Sequence, residues 1–345
     1  MACCPNRSIT CTRALRSSHL NMVERSERTC GNSRPERREA VPERVLITGG
    51  AGFIGTHLAA SHLADGDDVH LLVRPGKQVS GNVATVHAVD LQDRDALEDC
   101  LRSIAPTIIY HLATSTGRNA NCDVDAPELL VDPANLLNMI RAAKRVSPKV
   151  MIRAGSIAEY GGNPRTAHED DRENPSSSYG AALVAATHYC SVLQRQLPFP
   201  LHTARLSLTY GPGQAANYMV PALLQGLLRR EQVFVRNPLD RRDLAHVNDI
   251  VAGLRMLSAA NFAQGQIINL TSGHAPSMRQ VAYLACDVVG VDRELVHFGK
   301  AHPASASTLC VSAERARALL KWRAAISLAE GLASTAAAMR QEIYA

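Results

Sequence analysis

The stretch Val45-Leu46-Ile47-Thr48-Gly49-Gly50-Ala51-Gly52-Phe53-Ile54-Gly55 constrains the fold more than any other part of the chain. An apolar run meets glycines at 49, 52 and 55, and a segment with an apolar face follows at Leu58, Ala59 and Leu63. Strand, glycine turn and helix in that order form the entrance of a dinucleotide-binding unit. Gly49 permits the tight turn, Gly52 lets backbone approach a pyrophosphate, and Gly55 lets the helix close on the strand. The open N–H groups at the helix start then face the phosphates. The spacing is G-x-x-G-x-x-G, so the strand and helix on either side carry the reading more than the glycines alone. Gly49, Gly52, Phe53, Ile54 and Gly55 are the expected cofactor-binding residues of this turn.

Further along, apolar runs at Val45–Thr48, Val69–Val73, Thr85–Ala88, Thr107–His111, Val150–Arg153 and Leu201–Leu206 alternate with helical patterns near 55–64, 93–104, 127–146 and 178–196. Near-continuous apolar strands separated by helices predict an α/β fold, a Rossmann-type doubly wound parallel sheet covered on both faces. After residue 211 the rhythm loosens. Helices are expected near 219–230, 249–259, 277–288, 312–320 and 327–341, with short strands near 232–235 and 266–270. The expected organisation is a disordered extension over 1–42, the dinucleotide-binding domain over 43–210, and a mainly substrate-binding lobe over 211–345. That smaller lobe would close over the C-terminal edge of the sheet, where open α/β sheets bind ligands.

Charge and cysteine usage exclude several classes. The net charge is +5, but the first 40 residues hold eight Arg and four Glu, so +4 of it sits there. The nearly neutral remainder is not a nucleic-acid binder. No uncharged apolar run reaches the length of about 18 residues that would span a membrane. The nine cysteines form no C-x-x-C pair, which reads as free thiols in a reducing cytoplasm. No H-E-x-x-H or Cys/His cluster points to a metal, and no G-x-S-x-G elbow points to a hydrolase.

Several motifs recur in one order: Thr48–Gly55, Asp90-Leu91, Tyr110-His111-Leu112-Ala113, Ser156 with Tyr160-Gly161, Tyr179-Gly180, Tyr210-Gly211-Pro212-Gly213, and Arg242-Asp243 through Val247 and Asp249. The tail Leu319-Leu320-Lys321-Trp322 and Leu328-Ala329-Glu330-Gly331-Leu332 extends the match. With these, the chain resembles extended short-chain dehydrogenase/reductases of the nucleotide-sugar epimerase/dehydratase family. The resemblance implies that Tyr179 is the general acid/base and that Ser156 shares its hydrogen bond. It implies that Asp90 and Leu91 flank an adenine, that Ala113 lies against the cofactor, and that Arg242 meets the diphosphate of a nucleotide sugar. Thr114 and Ser115 could bind the sugar or cap a turn. Relatives of this kind are often homodimers.

Departures from the family pattern narrow the chemistry. Dehydratases carry an Asp-Glu pair after the Ser/Thr; here Ile157 and Ala158 stand there, and an apolar pair cannot move protons. The acidic residue expected at the end of the second strand is Val73, followed by Arg74. A guanidinium suits a 2′-phosphate, so NADP(H) is expected ahead of NAD(H), unless Arg74 is only a solvated surface residue. The family lysine four residues after the tyrosine is Leu183. Three readings follow: a reductase that uses a neutral Tyr179 as proton donor, a cation supplied from elsewhere, or a catalytically weak relative that binds dinucleotide. Leu208 replaces an asparagine that touches the diphosphate in relatives. The leading expectation is NADPH-dependent reduction of a nucleotide-activated 4-keto-6-deoxysugar. The alternatives are an NAD-dependent nucleotide-sugar 4-epimerase and a catalytically impaired dinucleotide-binding relative.

Overall fold

The computed structural model describes residues 41–344 apart from 80–83, 115–124, 127, 163–164 and 304–305. The extension expected over 1–42 therefore lies outside the described residues except for its last two, and Ser115 lies outside them too. Pro42 to Ala345 form one unit. The first half alternates strand and helix: β1 (Arg44–Thr48), α1 (Phe53–Ala64), β2 (Asp68–Val73), β3 (Thr85–Ala88), α2 (Arg94–Ile104), β4 (Ile108–His111), α3 (Glu128–Val146), β5 (Val150–Ser156), α4 (Ser178–Leu193) and β6 (Leu201–Leu206). The second half holds β7 (Leu208–Tyr210), α5 (Met219–Leu228), β8 (Val233–Val235), β9 (Arg241–Arg242), β10 (Leu244–His246), α6 (Val247–Ala259), β11 (Ile267–Leu270), α7 (Met278–Val289), β12 (Val296–Phe298), β13 (Thr308–Leu309), α8 (Glu314–Leu320) and α9 (Leu328–Tyr344).

The main sheet runs β11-β6-β5-β4-β1-β2-β3, and every pairing within it is parallel. Because side chains alternate across a strand, each strand feeds two cores. Val45, Ile47, Val69, Leu71, Tyr110 and Ile152 enter the layer shared with α1 and α6, while Leu46, Leu72, Ile109 and Met151 enter the layer shared with α2, α3 and α4. Double burial explains why β1 reads as an unbroken apolar run. The chain runs outward from β1 through β2 and β3, then crosses back to β4 on the other side of β1, so the C-terminal ends of β1 and β4 frame the topological switch point where ligands enter such sheets.

The segment after residue 210 does not stay in one lobe. β11 returns to pair with β6, and Val247, Ile250, Leu254, Leu320 and Trp322 join the core under the main sheet. Arg255 of α6 donates to the Ser61 carbonyl and hydroxyl on α1 at 3.0 and 2.7 Å. The short parallel pairs β10-β7, β12-β8 and β13-β9, with α5, α7 and α9, make up the rest, and a third core joins Leu223, Leu224, Leu227, Val281, Ala285 and Leu332. No helix among the described residues is long and apolar enough to cross a membrane.

Candidate active site

The glycine turn sits at the β1 end of the switch point. Gly49 adopts φ +68°, and a Cβ there would lie 2.9 Å from the Ala113 amide nitrogen, so β1 and the end of β4 approach across bare backbone. The Gly52 amide donates to the Gly49 carbonyl at 2.8 Å. Gly52 is also the N-cap of α1 and supplies no side-chain acceptor. The first-turn N–H groups of α1, beginning at the half-buried Phe53 and Ile54, keep their anion-binding capacity. Gly55 is buried behind them. A cradle that a single methyl would fill, closed by a helix N-terminus, fits the diphosphate of a dinucleotide. Thr48 stiffens it: its hydroxyl accepts from the Ala113 amide at 3.2 Å and pairs with His111 Nδ1 at 3.0 Å. Burial, with the positive charge of Arg153 beside it, pushes the His111 imidazole down to about 3. His111 is therefore a neutral structural group, in keeping with its place inside the strand.

The remaining expected cofactor residues line the same edge. Val73 is buried and Arg74 is exposed beyond it. Asp90 spends one carboxylate oxygen on its own turn, accepting from the Gln92 amide at 2.9 Å, and Leu91 is buried with its carbonyl taking Asn138 Nδ2 at 2.9 Å. Ala113 and Thr114 are half-buried at the end of β4.

Ser156 and Tyr179 come together. Ser156 ends β5 and caps a short 3-10 turn over Ile157–Tyr160, its hydroxyl accepting from the Ala158 amide at 3.1 Å. Ser177 caps α4 by accepting from the Gly180 amide at 3.1 Å, which sets Tyr179 in the first helical turn. Gly180 lets that turn close on the first: a Cβ there would lie 2.8 Å from the Ala158 carbonyl oxygen. The Ser156 hydroxyl and the Tyr179 phenol are brought close enough to influence each other as a result. Burial raises the phenol above its ordinary value, while Ser156 and the Arg153 charge pull it back.

Behind this pair lies a charge network that the motifs did not announce. Glu159 is fully buried; it accepts from the Ser156 amide at 3.2 Å, the Thr187 hydroxyl at 2.7 Å and Arg205 Nε at 2.9 Å. Arg205 also donates to the Tyr160 hydroxyl at 2.8 Å and to Glu173 at 2.6 Å. Desolvation opposes the charge on Arg205, yet Glu159 and Tyr160 outweigh it and raise its pKa. Tyr160, by contrast, is driven up to about 12 by burial, so it stays a neutral donor, here to Asn269 at 2.8 Å. Arg153 is buried among Thr187, Leu183 and Glu159. The available signal was a guanidinium inside an apolar strand buried on both faces, where a charge is costly.

The second half contributes less. Arg242 Nη2 pairs with Asp240 at 2.8 Å and its Nη1 donates to the Ser307 carbonyl at 2.8 Å, which leaves the guanidinium partly exposed but already committed. Asp243 beside it is buried and accepts from Ser207, Ser272 and the Gly273 amide, so its role is to hold loops together. Leu208 is 38% exposed and offers no polar group.

Comparisons with known proteins agree with this fold. The family model for the NAD dependent epimerase/dehydratase family matches residues 45–271. A UDP-glucose 4-epimerase of Mycolicibacterium smegmatis is 28% identical over 314 residues, covering 85% of this chain and 97% of that protein. A GDP-6-deoxy-D-mannose reductase of Pseudomonas aeruginosa is 26% identical over 275 residues, covering 74% of this chain and 83% of that protein. Among solved structures, the UDP-glucose 4-epimerase of Thermus thermophilus in complex with NAD superposes with a TM-score of 0.77 at 25% identity, covering 86% of this chain and 98% of that one. With the matched region spanning most of the folded unit, the chain belongs to the NAD dependent epimerase/dehydratase family, a group of nucleotide-sugar enzymes of oxidoreductase type.

Proposed function

We propose that this protein is an NAD-dependent 4-epimerase of a nucleoside-diphosphate sugar. The observation that carries the reading is the convergence of the two capped turns that present Ser156 and Tyr179 at the end of β5, on the same edge of the parallel sheet as the glycine turn after β1. The sequence favoured reduction of a ketosugar with NADPH. The relatives shift the balance, because the Mycolicibacterium smegmatis epimerase matches 85% of this chain against 74% for the reductase, and the solved Thermus thermophilus epimerase carries NAD. The exposed position of Arg74 gives no support to a built 2′-phosphate site.

In this reading Gly49, Gly52, Phe53, Ile54 and Gly55 hold the dinucleotide diphosphate, and Asp90, Leu91 and Ala113 border its remainder. The dinucleotide, when bound, supplies hydride acceptance and return at the sugar carbon. Tyr179 takes the proton of the C4 hydroxyl as that carbon becomes a ketone, and gives it back once the ketone has turned its other face. Ser156 holds the same oxygen through both steps. Ile157 and Ala158 add no second acid, so the carbon skeleton keeps its other hydroxyls. Thr114 contacts the sugar. Arg242 meets the diphosphate by sharing its guanidinium with Asp240.

Ketosugar reduction is the second reading. It is favoured by the raised pKa of Tyr179, since a neutral phenol is the form a proton donor needs. One experiment separates the two. Purified protein is incubated with UDP-glucose and no added cofactor, and the appearance of UDP-galactose is followed. Interconversion supports epimerisation. Its absence, with NADPH consumed on a 4-keto-6-deoxy nucleotide sugar, supports reduction. Failure of both assays in a protein that binds NADH by calorimetry supports the catalytically impaired reading.

A further inference from the structure

The helix position that carries a lysine in relatives holds Leu183, buried at 2% exposure. Leu183 nevertheless receives a cation. Arg153, projecting from β5, donates Nη2 to the Leu183 carbonyl at 3.0 Å and Nη1 to the Thr187 hydroxyl at 2.8 Å. Both acceptors lie on α4, the helix whose first turn presents Tyr179. Glu159 Oε1 stands 3.9 Å from Nη1 and offsets part of the cost of burying the charge. The interior of a parallel sheet selects apolar residues. An arginine there, three residues before Ser156, needs a reason.

We propose that Arg153 is the positioning cation for Tyr179, delivered from the strand beneath α4 where the helix itself supplies none. The proposal rests on Tyr179 being the proton carrier. At 1% exposure the guanidinium cannot touch a ligand in the cleft, so it acts only through the phenol. It therefore replaces the electrostatic half of a lysine's work and leaves the other half, direct contact with a bound nucleotide, undone. The charged and polar groups acting on the Tyr179 hydroxyl come from three neighbouring elements. Ser156 and Arg153 favour the phenolate; Glu159 of the 3-10 turn and Asp132 of α3 oppose it, each more weakly than Arg153 favours it. His111, next to Arg153, is held neutral and adds no charge.

The test reads the Tyr179 phenol directly, without substrate. Phenolate absorbance is titrated in each variant against the same variant carrying Tyr179→Phe, so that only this hydroxyl is seen. Arg153→Gln keeps an amide that can bond Leu183 and Thr187 but removes the charge; Arg153→Lys keeps the charge. Arg153→Gln is expected to move the titration up by about one pH unit and to carry with it the ascending limb of the kcat profile, where the phenolate forms. Arg153→Lys is expected to stay near wild type, and Arg153→Gln/Leu183→Lys to return toward it. If Arg153→Gln leaves the buried Glu159 carboxylate with too little counter-charge for the protein to fold, Arg153→Gln/Glu159→Gln removes both charges, and a smaller upward movement is expected. A folded charge-neutral variant whose phenol titrates where wild type does overturns the proposal. So does equal displacement by Arg153→Lys and Arg153→Gln, which marks a purely structural contact. Loss of turnover in Tyr179→Phe is read separately. If that variant turns over normally, the function assigned to Tyr179 fails whatever the titration shows.

Discussion

Tyr179 and Ser156 are held by two short capping motifs, so their encounter depends on backbone geometry more than on side-chain packing. In the proposed mechanism, replacing Tyr179 by Phe removes the proton carrier while leaving the ring in place. A fall in kcat of about 10²–10⁴-fold is expected, with little change in melting temperature. Ser156→Ala should lower kcat and also loosen the 3-10 turn, because the hydroxyl caps the Ala158 amide; a loss of about 1 kcal/mol in urea unfolding is the expected cost. A Ser156→Ala protein with wild-type kcat would remove that residue from the site. At this scale the sequence conveyed the hydroxyl pair but not Arg153. Its neighbours Met151 and Ile152 read as ordinary strand, and the charge makes sense only once α4 is folded across it.

Elements differ in how readable they were. β3 and β6 fall where the apolar runs placed them, and the other four early strands differ by one to three residues at their ends. The parallel pairs β10-β7 and β13-β9 escaped the sequence because two or three residues give no period; their pairing is set by loops anchored on Asp243. β11 was visible as a strand, but its pairing with β6 in the main sheet was not, since nothing local records which sheet a strand joins. Two changes test these elements. Gly49→Ala should cost about 1–2 kcal/mol for its left-handed backbone, beyond the clash at Ala113, and should abolish NADH binding by calorimetry. Asp249 of α6 accepts from the Ala325 and Ile326 amides at 3.0 Å each, fastening the chain after α8. Asp249→Ala should strip both amides of their acceptor and lower stability by about 2–3 kcal/mol, read as a lower urea midpoint with an unchanged slope.

For the molecule as a whole, acid is the informative stress. His111 and His202 are depressed by burial to about 3 and about 4, below the ordinary 6.5 of an unfolded chain. Between those values the unfolded state binds more protons, so their contribution is complete above pH 6.5 and is lost as pH falls toward 4 and 3. Each should weaken the fold by about 1.4 kcal/mol per pH unit in that window. The slope of urea-derived stability against pH between 6.5 and 5 should be shallower in His111→Gln by about that amount, and an unchanged slope would mean the imidazole titrates normally. The return of β11 to the edge of β6 has a consequence for biosynthesis. Until residue 270 leaves the ribosome, β6 is a bare strand flank with Thr203 and Arg205 awaiting cover. The first half of the chain keeps that flank open until β11 has been made, and a polypeptide halted near residue 210 is expected to associate with its neighbours edge to edge.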